Sequence, residues 1–497
     1  MDWVLGIDLG TSGAKAALMN SDGIIADVKS ASYEPEIGTN GCVEQCPKAW
    51  ADATFDVIKQ MTAAHPKKSA LLKAIAVSGQ MHSSVFMDKD GGIVRKAMLW
   101  NDVRTHKEVA EIYEKVGLSN LIKWVSNAAF PGFTLPKVLW LKKNEPENYA
   151  KVVKVIMPKD YINYCLTGVV KTDVSDAAGT LAYDVKQNIW SKEMCDAVSV
   201  SVDIWADALP STGLVGEVTP EICAELGLPN GVKVYAGGAD NACAAVGTGV
   251  LAPGQAALSV GTSGTVIAYL NGINSEKALE ANGAVHLFNY APEGSFYAMG
   301  CMLSAGECLN WLKRNLLSDL TFDEINELAE KTPVGSSGLT FLPYLFGERC
   351  PHNDGNARGI FFGIGGSTGR GEFARSVMEG VAFNFKQMFE MVNGFTTIES
   401  IVITGGGAKS KLWAQILADV IGVPLSVSSV TEGPALGAAA IAAVGCGIFA
   451  SFGEFAAKTK TEMQTIIPNA ENTKLYAPRY ELFKKLYETN KENFISG

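Results

Sequence analysis

The sequence predicts an α/β protein of two similar lobes, each a mixed β-sheet with flanking helices, and a ligand cleft between them. Three observations carry this. The tetrapeptide Gly-Thr-Ser-Gly occurs at 10–13 and again at 261–264, about half the sequence apart, each time between two strand-like runs. Solenoid repeats recur every few tens of residues, so this spacing marks duplicated lobes instead. At 231–251 and 398–422 an apolar strand runs into a Gly-rich turn and then a helical pattern. Finally, 497 residues with 47% hydrophobic and 19% charged side chains are too many for one core and suit two to three domains.

The elements follow in order. WVLGIDLG (3–10) and AKAALMNSDG (14–23) form a hairpin around the first tetrapeptide, with a further turn at Ser21–Gly23. A helix is predicted over Pro47–Ala64. LLKAIAVSGQMHSSVFMD (71–88) reads as a buried strand, a tight loop and a second strand, and 100–170 as mixed and largely helical. In GVKVYAGGADNACAAVGTGVL (231–251) a strand and a Gly-Gly turn deliver Asp240 to a helix start. The lobe boundary is expected between 245 and 256, giving lobes 1–248 and 249–497. GQAALSVGTSGTVIAYLNG (254–272) is the second hairpin. Gly433–Ser451 carries no charge and is long enough for a bilayer. It is rich in Ala and Gly and has no basic flank, so a helix buried between sheet layers is expected. In the tail, Tyr480, Phe483, Tyr487 and Phe494 share one face of a surface helix.

Composition narrows the function. A formal net charge of −10 disfavours a nucleic-acid or anionic-membrane surface. The ten cysteines form no Cys-x-x-Cys, and Cys42 and Cys46 have no histidine beside them, so reduced thiols in a cytosolic protein are expected rather than zinc. The first residues, MDWVLGIDLG, enter a strand directly, which predicts no signal peptide.

A hairpin tip of Gly, Thr and Ser offers free backbone N–H groups and hydroxyls to phosphate oxygens. One copy reads as a simple turn. Two copies at matched positions, with a third Gly-rich loop at 404–410, favour a nucleotide. Neither a Gly-x-x-x-x-Gly-Lys-Ser/Thr loop nor a Gly-x-Gly-x-x-Gly between strand and helix occurs, so P-loop and dinucleotide folds have no support. Asp8 lies in an apolar strand beside the first tip, where a charge requires a counter-ion and Mg²⁺ is the natural one. Lys15 is either a phosphate-binding charge or a solvated strand residue. Asp240 is either a helix cap or a carboxylate that takes the proton of an attacking hydroxyl. His82 is either structural or a ligand contact, and Trp100 either core or a pocket wall.

GIDLGTSGAKA, ALSVGTSGTV and IVITGGGAKSKLW resemble the two phosphate segments and the adenosine segment of the actin-like (ribonuclease H-like) ATPase superfamily. Within it the chain resembles the FGGY carbohydrate kinases, and among these the xylulokinases. GQMHS (79–83), LWNDVR (99–104), TDVSDAAGTLAYDV (172–185), GGADNACAAVGTGV (237–250) and FGERCPHNDGNARGIFFG (346–363) carry that resemblance, collinear from residue 4 to about 447. Ser83 and Cys350 depart from the usual Gly and Thr.

The resemblance implies two actin-like lobes with ATP in the cleft. It implies a cytoplasmic kinase that phosphorylates D-xylulose at O5, with Asp240 as base and Asp8 on Mg²⁺. It implies sugar contacts from Met81, His82, Trp100, Asp240 and Asn241; Asp102 and Arg104, two positions apart, are expected only to brace one another. It further places Thr11, Ser12, Gly261 and Thr262 at the phosphates, and Gly306, Asn310, Gly406 and Gly407 around the adenosine, with Lys15 a further candidate at the phosphates from its charge and position. Lys411 is not carried over. The alternatives are a kinase for another open-chain sugar, polyol or aldonate such as gluconate, or an actin-like ATPase without a sugar. A homodimer is the default assembly.

Overall fold

The computed structural model describes residues 1–39, 41–428, 432–459 and 463–494. Its first sheet contains β1 (Trp3–Leu9), β2 (Gly13–Asn20), β3 (Ile25–Ser32), β4 (Leu72–Gly79), β5 (Leu214–Glu217) and β6 (Lys233–Ala239), in the order β5-β6-β4-β1-β2-β3. β1, β2 and β3 form an antiparallel meander, β4 runs parallel to β1 and β6 parallel to β4. Helix α1 (Pro47–Ala64), with Pro at its first position, buries Trp50, Val57, Ile58 and Met61.

The second sheet contains β7 (Gln255–Val260), β8 (Gly264–Leu270), β9 (His286–Asn289), β10 (Phe296–Met302), β11 (Ser400–Thr404), β12 (Leu425–Val427) and β13 (Gln464–Ile466), in the order β9-β10-β8-β7-β11-β12-β13. β7 pairs antiparallel with β8 and parallel with β11, and β11 runs parallel to β12. The series β3-β2-β1-β4-β6 and β10-β8-β7-β11-β12 are therefore the same topology twice. Each Gly-Thr-Ser-Gly sits at the tip of the matching first hairpin, as the spacing predicts.

The helices that matter for the site are α2 (Asp240–Gly247), which continues β6, α3 (Gly306–Asn315), α4 (Arg370–Asn393), α5 (Lys411–Ile421), α6 (Gly433–Gly445) and α7 (Ala470–Asn490). The uncharged segment forms α6, which is buried, but between the first sheet and α2 rather than between two sheet layers. Small residues permit this. A Cβ on Gly6 of β1 would lie 2.0 Å from the Ala435 carbonyl, and one on Gly437 would lie 1.8 Å from the Cys243 carbonyl. No described helix is long and apolar enough to cross a membrane.

The tail helix α7 starts at Ala470, earlier than its apolar face suggests, because the Asn469 side chain caps it by accepting from Glu471 and Asn472 N–H. Tyr480, Phe483 and Tyr487 are buried along it, while Phe494 lies past its end.

Candidate active site

Asp8 is positioned by register. On β1 it faces Lys15 of β2 and Ser78 of β4. Burial pushes its carboxyl up to about 6; Lys15 opposes the shift and Glu432 adds to it. The Lys15 ammonium is engaged by the Glu432 carboxylate at 2.9 Å, just before α6.

Asp240 is the first residue of α2, and Ala239 occupies the cap position without a side-chain cap bond. The capping alternative is therefore corrected. The Asp240 carboxylate turns to its own neighbour, accepting from Asn241 N–H at 2.7 Å and from the Asn241 amide at 2.9 Å. Burial first, and the Asp8 charge second, push Asp240 up to about 7.

Met81, His82, Trp100, Asp240 and Asn241 all line one cavity of 240 Å³. His82 follows β4 with φ 64°, a left-handed conformation that turns the chain sharply. Its Nδ1 lies 2.7 Å from the Gly179 carbonyl, which only accepts, so Nδ1 carries the proton and Nε2 is left as an acceptor. Gly179 has to lack a side chain, because a Cβ there would lie 2.7 Å from that nitrogen. Burial holds His82 down to about 3 and so neutral. Trp100 is not core: it is 37% exposed, and its indole N–H donates to the Thr11 hydroxyl at 2.9 Å. The Ser83 hydroxyl is buried outside this cavity and accepts from Trp100 N–H at 3.0 Å. Asp102 and Arg104 brace one another as expected and also hold Val43 N–H and Glu44.

Two larger cavities adjoin the first. One of 570 Å³ is lined by Gly261, Thr262, Gly306, Asn310, Gly406 and Gly407, the six residues expected at phosphate and adenosine from the second lobe. Gly306 is also a packing residue, since a Cβ there would lie 2.6 Å from the Gly261 carbonyl. The other, of 490 Å³, is lined by Asp240, Asn241, Ser259, Gly405 and Gly433 among others. Gly406 and Lys409 line both of these cavities, and Gly261 joins the larger one to the 240 Å³ cavity. Asp240, Asn241 and Ser259 join the 490 Å³ cavity to it.

Asp8, Thr11, Ser12 and Lys15, all expected at the phosphates or their metal, line none of the three. Thr11 is engaged by Trp100 and by the Gln45 amide, and Ser12 is exposed at the tip. Ser259, Lys409 and Arg349 line the cavities without having been singled out from the sequence. For Arg349 the signal was a charge inside the stretch FGERC. All ten cysteines are free thiols, and among the described residues no group of three or more His, Cys, Asp or Glu is arranged to hold a metal.

The sequence profile of the N-terminal domain of the FGGY family of carbohydrate kinases matches residues 3–247, and that of the C-terminal domain matches residues 256–446. The chain is 38% identical over 493 residues to the xylulose kinase of Bacillus subtilis, covering 99% of this chain and 98% of the relative. Its fold is similar to a ligand-bound xylulose kinase from Lactobacillus acidophilus, with a TM-score of 0.93 and 25% identity over 99% of each chain. A gluconate kinase from the same organism is similar to the same degree, with a TM-score of 0.93 and 25% identity over 99% of each chain. The two-fold topology, the joined cavities and these matches agree: the chain belongs to the FGGY family of carbohydrate kinases.

Proposed function

We propose that the 240 Å³ cavity takes D-xylulose in its open form and that the protein transfers the terminal phosphoryl group of ATP to its O5, giving D-xylulose 5-phosphate and ADP. The observation that carries this is the place of Asp240. Asp240 lines both the 240 Å³ cavity and the adjoining cleft, where an acceptor hydroxyl and a donor phosphate would meet.

Phosphoryl transfer asks a protein mainly for positioning, charge neutralisation and an oriented nucleophile. Asp240 accepts the proton of O5 as the hydroxyl attacks, and a carboxyl raised to about 7 is matched to that task near neutral pH. Asn241 fixes the orientation of the carboxylate. His82 Nε2 accepts from a sugar hydroxyl, Met81 covers carbon, and the Trp100 indole closes one wall. Adenosine lies in the 570 Å³ cavity against Gly306, Asn310, Gly406 and Gly407, with the phosphates running past Gly261 and Thr262 towards Asp240.

Asp8 and Asp240 are partly buried carboxylates, and the Asp8 charge raises Asp240, an arrangement that suits a divalent cation of the Mg²⁺ type held through Asp8. Such an ion takes few protein oxygens and completes its shell from phosphate and water. When bound, it neutralises charge on the phosphates.

The test is a coupled kinase assay across pentuloses, pentitols and aldonates, with the phosphorylated position read by NMR. D-Xylulose phosphorylated at O5 with the highest kcat/KM is the expected result. A higher kcat/KM for gluconate would replace the substrate while leaving the kinase.

A further inference from the structure

We propose that Arg349 is the specificity-determining residue that recognises the carbonyl end of an open-chain ketose, which rests on the reading of the 240 Å³ cavity as the sugar site.

The cavity has two distinct ends. Asp240, Asn241, Ser259 and Gly261 also line the nucleotide cavities, so they mark the end where phosphate is transferred. Arg349 and His82 line the sugar cavity and neither of the other two. They belong to one aromatic cluster. The Arg349 guanidinium lies 5.3 Å from the Phe130 ring, Phe130 is 5.7 Å from Phe133, and Phe133 is 4.6 Å from His82. Arg349 Nη2 would lie 3.9 Å from a Cβ placed on Gly132, the same point that is 2.5 Å from the Trp100 carbonyl.

Among the described residues no carboxylate is ion-paired to Arg349, although the neighbouring Glu348 carboxyl is close enough to feel its charge. Nor, among them, does any side chain or carbonyl hydrogen-bond its guanidinium. The preceding Glu348 is turned away, accepting from Leu303 and Arg349 backbone N–H and from Asn384. The nearby imidazoles add no charge, since burial holds His82 and His286 neutral. His286 is fully buried against Phe130, and neither of its ring nitrogens has a hydrogen-bond partner. A cationic fork that packs on a ring face but has no hydrogen-bonded partner, beside a cavity, is free to recognise a ligand.

The donor and acceptor pattern selects the ligand. A guanidinium only donates, and the neutral His82 leaves only an acceptor at Nε2. A CH₂OH–C=O terminus presents the complement: a carbonyl oxygen that only accepts, next to a hydroxyl that donates. The corresponding pentitol replaces the carbonyl with a second hydroxyl, whose proton then lacks an acceptor at Arg349.

The test compares D-xylulose with xylitol and D-arabinitol, the two pentitols that differ from it by reduction of the carbonyl. The full-length protein and its Arg349→Met and Arg349→Lys variants are assayed at saturating ATP, with a pentitol's inhibition constant used where its turnover is undetectable. Arg349→Met is expected to lower kcat/KM for D-xylulose about 10- to 100-fold and the pentitol constants less than about 3-fold, with partial recovery in Arg349→Lys and an unchanged KM for ATP. Equal losses for ketose and pentitols would overturn the proposal. So would a raised KM for ATP with sugar affinity intact, which would place the guanidinium on the phosphoryl group. Melting curves accompany each variant, and if the Arg349→Met protein does not fold, the ketose-to-pentitol ratio of Arg349→Lys decides. Wild-type inactivity towards D-xylulose would instead overturn the substrate reading itself.

Discussion

The Asn241 side-chain amide donates to the Asp240 carboxylate at 2.9 Å and reaches the Met81 sulfur at 3.5 Å. One side chain thus couples the proposed base to a wall of the proposed sugar cavity. The carboxylate is anchored through Oδ1, and Met81 lines the same cavity as Asp240 and Asn241.

Asp240→Asn keeps this geometry and removes the basicity. The amide oxygen of the replacement still accepts from Asn241 N–H, and no helix cap is lost because Ala239 holds that position. Turnover should fall by about 10²–10⁴, while calorimetric D-xylulose affinity stays within a few-fold. Turnover within a few-fold of wild type would remove Asp240 from the chemistry.

The same substitution should stabilise the fold at high pH. The Asp240 carboxyl rises from 3.8 to about 7 on folding, chiefly through burial. Between those values the folded chain binds more protons than the unfolded one, so this group lowers stability as pH rises through about 4 to 7, and the penalty is complete at pH 8. Asp240→Asn should therefore raise the melting temperature at pH 8 and leave it nearly unchanged at pH 4, the gain being on the order of 1–4 kcal/mol. The wild-type kcat/KM should decline below about pH 7 as the base becomes protonated. A flat profile down to pH 5.5 would count against that assignment.

His82→Ala should raise the KM for sugar and spare that for ATP. The lost interaction is one neutral hydrogen bond from Nε2, costing on the order of 1–3 kcal/mol, or roughly 5- to 150-fold. Because His82 titrates near 3, its own contribution should not change between pH 5 and 8. Equal effects on both substrates would mark the residue as structural.

Much of this site was legible because it sits on strand and hairpin signals. The paired tetrapeptides pointed to the duplicated topology, Asp8 was conspicuous as a charge in an apolar strand, and Asp240 as one where an apolar strand turns into a helix. What local pattern could not show was partnership between distant positions. Lys15 meets Glu432 more than four hundred positions away, and Trp100 meets Thr11 across the hairpin tip. Arg349 joins a cavity to which Met81, His82 and Trp100 come from the first lobe. Nor does a run of Ala and Gly announce its packing partner: α6 lies on the first sheet because its backbone can approach Gly6 and Cys243 so closely.

That close approach predicts the cost of a single methyl group. A Cβ on Gly437 would lie 1.8 Å from the Cys243 carbonyl, and backbone at that distance cannot rotate away. Gly437→Ala must displace α6 from α2. The loss should reach or exceed the upper end of the usual range for overpacking, about 3 kcal/mol. Differential scanning calorimetry showing no fall in melting temperature would contradict the packing described here.

The Lys15–Glu432 pair yields the last prediction, because its two members should behave oppositely. The side chains are 45% and 23% exposed, so the pair itself contributes at most about 1 kcal/mol, and neither Lys15→Ala nor Glu432→Ala should move the melting temperature far. Their effects on ATP should diverge. If Lys15 also serves the phosphates from β2, Lys15→Ala removes that charge and raises the KM for ATP. Glu432→Ala frees the ammonium from its present partner and takes away one negative charge near Asp8, so it should lower the KM for ATP and draw the Asp8 carboxyl down from about 6. Steady-state kinetics in ATP at low and high ionic strength would show both changes shrinking as salt screens them. If instead the two variants raise the KM for ATP alike, the pair acts as a brace between β2 and α6, and the phosphate role of Lys15 is excluded.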